Sequence, residues 1–137
     1  MRSLSLVGIQ LVAVTLLVGC AAGSQAMRVN RTNPAAYAEV ETREESNGNT
    51  KISLKAEHLA RPEAVNPAAA TYVVWAQGLG GTGEPQNLGA LEVDGNLKAK
   101  FEAITPLKQF DLFITPEPLN TAQIPTGDKA LWTTVSQ

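Results

Sequence analysis

The chain has 137 residues, in which 11 Lys and Arg stand against 13 Asp and Glu, a formal net charge of −2. That balance argues against the basic footprint of a nucleic-acid binder and against a polybasic contact with a membrane. A single cysteine, Cys20, and a single histidine, His58, leave neither a disulfide framework nor the ligand cluster a structural zinc needs.

Residues 1–19 have the parts of a secretory signal: one positive charge at Arg2, an apolar run from Leu4 to Val18, and a small residue, Gly19, before the cysteine. The apolar run is roughly 15 residues, short of the roughly 18–20 a permanent span requires, and no later stretch approaches that length. Leu17-Val18-Gly19-Cys20 resembles the lipobox of bacterial lipoproteins. By that resemblance the signal is cut before Cys20, its thiol is joined to diacylglycerol, and its new amino group can take a further acyl chain such as palmitate. Two or three chains hold a protein that one would let go, because each buried CH₂ contributes about 0.8 kcal/mol. The alternative is a soluble secreted protein cut near Ala21-Ala22. Ala21 rather than Asp after the cysteine resembles an outer-membrane address in Gram-negative lipoproteins that follow the familiar sorting rule.

Residues 20–34 then read as the lipidated Cys and a flexible tether of small and polar residues, and 35–137 as one domain. Asn30-Arg31-Thr32 matches a glycosylation sequon, a chance match in a bacterial lipoprotein. Tyr37 to Thr42 and Thr50 to Ala56 read as strands joined through Glu45-Ser46-Asn47-Gly48-Asn49. The second alternates cleanly, with Ile52, Leu54 and Ala56 on one face and Lys51, Ser53 and Lys55 on the other. The charges Glu39, Glu41, Arg43, Glu44 and Glu45 read as a solvated strand edge. His58 to Ala70, with Pro62 and Pro67, reads as a crossover with one helical turn at Pro62–Val65.

Thr71 to Ala76 is β-branched and aromatic on both faces, the mark of a strand interior to a sheet, with Trp75 in the core. The glycines between Gly78 and Gly83 invite a nucleotide reading, but Glu84-Pro85 follows where a phosphate loop needs Lys and Ser or Thr, and no helix opens there. The segment reads as a mobile connection between strands. Asn87 to Val93, Asp94-Gly95 and Leu97 to Ala103 read as a hairpin with a type I′ turn, placing Leu91, Val93, Leu97, Ala99 and Phe101 toward the core. Phe110 to Thr115 and Ala130 to Val135 complete seven strands. Seven short strands with regularly spaced turns predict an all-β fold, an antiparallel immunoglobulin-like β-sandwich.

Tyr72-Val73-Val74-Trp75, a Gly-rich gap, Asn87-Leu88-Gly89-Ala90-Leu91, a hairpin, Phe113-Ile114-Thr115-Pro116-Glu117-Pro118 and Pro125-Thr126-Gly127 follow one another in an order that resembles the C-terminal extracytoplasmic domain of anti-sigma-K factors. The resemblance covers residues 71–131, about half of the mature chain, and implies that family's β-sandwich facing the envelope. The chain departs from the family at Leu119-Asn120-Thr121, which replaces a Gly-Gly-Ser run, and lacks the cytoplasmic sigma-binding helices. The sandwich and its side of the membrane carry over; anti-sigma activity does not.

No catalytic constellation stands out. His58 has no Gly-x-Ser-x-Gly elbow to serve, and Glu84, Glu92 and Asp111 are not singled out as a carboxylate pair. Glu117, Pro118, Pro125, Thr126 and Gly127 form a candidate binding loop, or else tie two strand ends together through turn hydrogen bonds. The expectation is a non-enzymatic interaction or sensing module with no cofactor, held to the cell envelope by lipid on Cys20, with a protein partner in the envelope. An accessory role in envelope-stress signalling and a purely structural role are the alternatives.

Overall fold

The computed structural model describes residues 23–136, so the signal and the proposed lipidation at Cys20 lie outside the described residues. Period-two patterning sets the inner faces of the sandwich. In β3 (Tyr37–Glu44) and β4 (Thr50–Glu57), Ala38, Val40, Ile52, Leu54 and Ala56 are buried. They face Tyr72, Val74 and Ala76 of β5 (Thr71–Gly78) and Phe110, Leu112 and Ile114 of β8 (Phe110–Glu117) in one continuous core.

Among the described residues, nine strands form two antiparallel sheets. The four-stranded sheet has the order β1-β3-β4-β7 and the five-stranded sheet β2-β9-β8-β5-β6, with β1 at Gly23–Ala26, β2 at Arg28–Val29, β6 at Thr82–Leu91, β7 at Ala99–Thr105 and β9 at Leu131–Val135. The fold is therefore an all-β sandwich. The helical turn expected at Pro62–Val65 is present as α1, with the proline in its first turn, where a missing N–H costs nothing. The seven expected strands are all found, with shifted ends.

The two additional strands come from the segment read as a tether. β1 (Gly23–Ala26) pairs with β3, and β2 (Arg28–Val29) pairs with β9. Met27 between them is buried and donates its N–H to the Ala38 carbonyl. One short run thus edges both sheets, and Gln25 reinforces the seam through hydrogen bonds from Nε2 to the Thr133 hydroxyl at 2.6 Å and the Thr134 carbonyl at 2.8 Å. Beyond β2, the buried Asn33 accepts from the Ala60 N–H at 2.9 Å and donates to the Tyr72 hydroxyl, which itself donates to the Ala60 carbonyl. Residues 23–34 are thus part of the sandwich. Edge strands need backbone partners more than large side chains, which is why the composition read as a linker.

The expected hairpin through Asp94-Gly95 is also corrected. β6 belongs to the five-stranded sheet and β7 to the four-stranded one, so the segment between them crosses from sheet to sheet. The tight turn itself exists, with Asp94 Oδ1 accepting from Asn96 N–H and Lys98 N–H, bonds that hold the Asp94 carboxyl below its ordinary pKa. It is not type I′, since the positive φ falls at Leu97 (59°) and not at Gly95. Leu97 is 38% exposed and is not among the core residues, contrary to the expectation. The Gly-rich stretch is, as expected, a connection between strands, a short 3₁₀ turn at Leu79–Gly81 between β5 and β6 closed by the Thr82 hydroxyl donating to the Leu79 carbonyl.

Thr50 is wholly buried, and its hydroxyl has no hydrogen-bond partner among the described residues. An unsatisfied buried hydroxyl costs about 1–3 kcal/mol. Thr50→Val keeps the branched shape and removes the orphan, so its urea midpoint should equal or exceed that of the parent; a loss of more than about 1 kcal/mol would show that the hydroxyl is bonded in solution.

Candidate functional site

The candidate loop runs from Glu117, the last residue of β8, to Gly127 in the long connection between β8 and β9, which folds back as a strap over the outer face of the five-stranded sheet. That face carries a second, smaller core: Val73, Trp75 and Phe113, with Ala122 of the strap and Trp132 of β9 packed against it. Trp75 is fully buried as expected, but here rather than between the sheets. It stacks on Phe113 with ring centroids 6.4 Å apart and planes 17° from parallel. Lys129 lies over the Phe113 ring, its Nζ 4.4 Å from the centroid.

Glu117 clamps the strap. Its side chain is fully buried, and it accepts from the Thr115 hydroxyl at 2.7 Å, the Thr126 N–H at 2.8 Å, the Gly127 N–H at 3.2 Å and the Thr126 hydroxyl. Burial opposes ionisation, yet the bonds from Thr126, Thr115 and Gly127 outweigh it and hold the carboxyl below its ordinary pKa. Gly127 is required by close approach: a Cβ there would stand 2.3 Å from the Pro116 carbonyl oxygen. Three of the five residues of the candidate loop, Glu117, Thr126 and Gly127, therefore meet in space, and the carboxylate is directed at its own chain. Pro118 is exposed and Pro125 half-buried.

The middle of the strap is held by Asn87, whose Nδ2 donates to the carbonyls of Asn120 (3.0 Å) and Ala122 (2.8 Å), while its Oδ1 accepts from the Gly89 N–H. Asn87 was legible only as part of a strand. Nothing local announces that it reaches a segment more than thirty residues away.

Between α1, the end of β6 and the start of the strap lies an open cleft of about 540 Å³, lined among others by Arg61, Glu63, Leu91, Glu92, Val93 and Leu119. Leu119 is 66% exposed. The cleft combines a cation, two carboxylates and apolar side chains, and β6 beside it is one of the two edge strands of its sheet. Such an arrangement can pair the backbone of an added strand and select its side chains by charge. Its residues come from four separate segments, so no spacing in the sequence brings them together.

Groups for chemistry are placed otherwise. His58 is exposed with a positive φ of 52°. Asp111 is occupied by the Gly80 N–H and the Thr134 hydroxyl. Among the described residues no group of three or more His, Cys, Asp or Glu is arranged to hold a metal ion, and no helix is long and apolar enough to cross a membrane. No protein-family model, curated protein or solved structure matches this chain.

Proposed function

We propose that the chain is a lipid-anchored interaction module of the bacterial cell envelope, held through Cys20 and recognising an extended segment of an envelope protein at the cleft beside β6. The observation that carries the reading is the meeting of an edge strand with the charged and apolar side chains of Arg61, Glu63, Glu92 and Leu119. Backbone pairing would supply affinity there and the flanking side chains register and selectivity. Nothing in the sequence supplies a nucleophile with its base, so the module acts by binding.

A photo-crosslinking residue at Leu119 should form a protein adduct in intact cells, weakened by the charge reversals Arg61→Glu and Glu92→Lys, while the same probe at exposed Glu102 on β7 forms none. Adducts of equal strength at both positions, or insensitivity to charge reversal, would overturn the cleft as the recognition site. Cys20→Ala should abolish incorporation of labelled palmitate and leave the domain folded; labelling that persists would remove the anchor.

A second reading, an accessory part of an envelope-stress signalling system, is favoured by the clamp. The segments 113–118 and 125–127 that resemble the anti-sigma-K extracytoplasmic domain are the ones Glu117 joins. Deletion of the gene should then alter envelope-stress transcription, and an unchanged response would dismiss this role.

A further inference from the structure

We infer that the domain sits directly on the bilayer, with its hairpin end against the lipid headgroups and the cleft facing away, an inference that rests on the reading of Cys20 as the lipid-bearing residue. Only Ala21 and Ala22 separate Cys20 from Gly23, and Gly23 is already a strand residue paired with Thr42. A residue spans at most about 3.3–3.6 Å, so Cys20 lies within about 11 Å of that first pair. No slack remains for the domain to lift away from the membrane.

The strand directions fix which end faces down. β1 runs antiparallel to β3, so the chain ahead of Gly23 leads the way β3 ends, toward Glu44 and the 45–49 turn. The same end carries the 79–81 turn and the 106–109 connection: Lys108 Nζ lies 3.2 Å from Glu44 Oε1, and the Gly80 N–H donates to Asp111 at the start of β8. Two ion pairs stand there, Arg43 with Glu45 at 3.5 Å and Lys108 with Glu44, and the Asp111 carboxylate is held by the Gly80 N–H and the Thr134 hydroxyl. Leu79 is exposed at the tip of a turn. An end with two internal ion pairs, a carboxylate satisfied by its own chain and an apolar tip fits a zwitterionic headgroup layer and needs no anionic lipid. β3 and β4 have eight residues each, which puts the crossover end and its cleft about 26 Å farther out at about 3.3 Å per residue. The partner segment must therefore reach down to that height above the same membrane.

The test uses the full lipoprotein reconstituted in phosphatidylcholine vesicles. Lipid blocks the native thiol, so Ser46→Cys in the β3–β4 turn and Ala64→Cys in α1, both at exposed positions, each offer one site for a fluorescent donor, with the acceptor on a headgroup. Energy transfer should be several-fold stronger from position 46 than from position 64. Inserting a Gly/Ser linker of about twelve residues between Ala22 and Gly23 should level the two, since such a linker behaves as a flexible coil. Equal transfer in the uninserted protein overturns the orientation, and a difference that survives the insertion overturns the short connection as its cause. The mass of the peptide containing Cys20, measured in the same sample, separates the two layers of the argument. A lipidated peptide with equal transfer leaves the anchor standing and removes the orientation, whereas an unlipidated peptide removes both.

Discussion

Trp75→Ala should lower the unfolding free energy by about 3–5 kcal/mol, the range for truncating a large buried aromatic. The side chain is fully buried between β5 and the strap, and its removal opens a cavity under Ala122 and beside Phe113. It also orphans a polar group. Trp75 Nε1 donates to the Thr115 hydroxyl at 2.9 Å, and that hydroxyl donates to Glu117 at 2.7 Å, so the second core and the clamp share one hydrogen-bond chain. Trp75→Phe keeps most of the area and loses the donor, and should cost about 1 kcal/mol beyond the small change in packing. Urea unfolding of a form beginning at Gly23 measures both. An alanine variant as stable as the parent would mean that the strap does not cover the sheet in solution.

Glu117→Ala should cost about 2–4 kcal/mol, because it removes the acceptor of charge-assisted bonds from the buried Thr115 hydroxyl and from the part-buried N–H groups of Thr126 and Gly127. Glu117→Gln can still accept from those N–H groups, so it should fall between the parent and the alanine variant. The effect should appear locally as faster thermolysin cleavage ahead of the exposed Leu119 or Ile124. The pH dependence has a definite sign. The folded carboxyl titrates below its ordinary value of 4.5, so its contribution is complete above that value and is lost as the pH falls through the folded pKa. Acidification below about 4.5 should therefore destabilise the parent more than Glu117→Gln. Parallel pH profiles for the two proteins would show that the carboxylate is not the clamp.

Inner faces were legible in the sequence by alternation: Ile52, Leu54 and Ala56 on a strand whose other face is wet, and Phe110, Leu112 and Ile114 on one whose other face carries Phe113 of the second core. Thr71 to Ala76 announced burial on both sides, but not what lies on each. Trp75 is covered by a strap that arrives about 45 residues later in the chain, and no local pattern encodes that return. Asp94 and Gly95 carry genuine turn chemistry, since the Asp94 side chain does bind the N–H groups of Asn96 and Lys98. Turn chemistry, however, says nothing about whether its two arms stay in one sheet. Gly23 to Val29 was missed for a different reason: its pairing uses backbone groups, which every sequence has. The candidate loop was half legible, because Glu117, Thr126 and Gly127 could be named as partners, whereas Asn87 and the cleft depend on tertiary placement.

β2 finds its partner in β9, with Arg28 opposite Trp132 and Val29 opposite Leu131. Pairings between such distant parts of a chain form slowly, because loop closure must precede any reward. A chain emerging from its N-terminus therefore cannot finish its sheet until the last strand has been released. Closure of the sandwich is thus deferred until the whole chain is available, and until then the β9 edge of the five-stranded sheet is unmade.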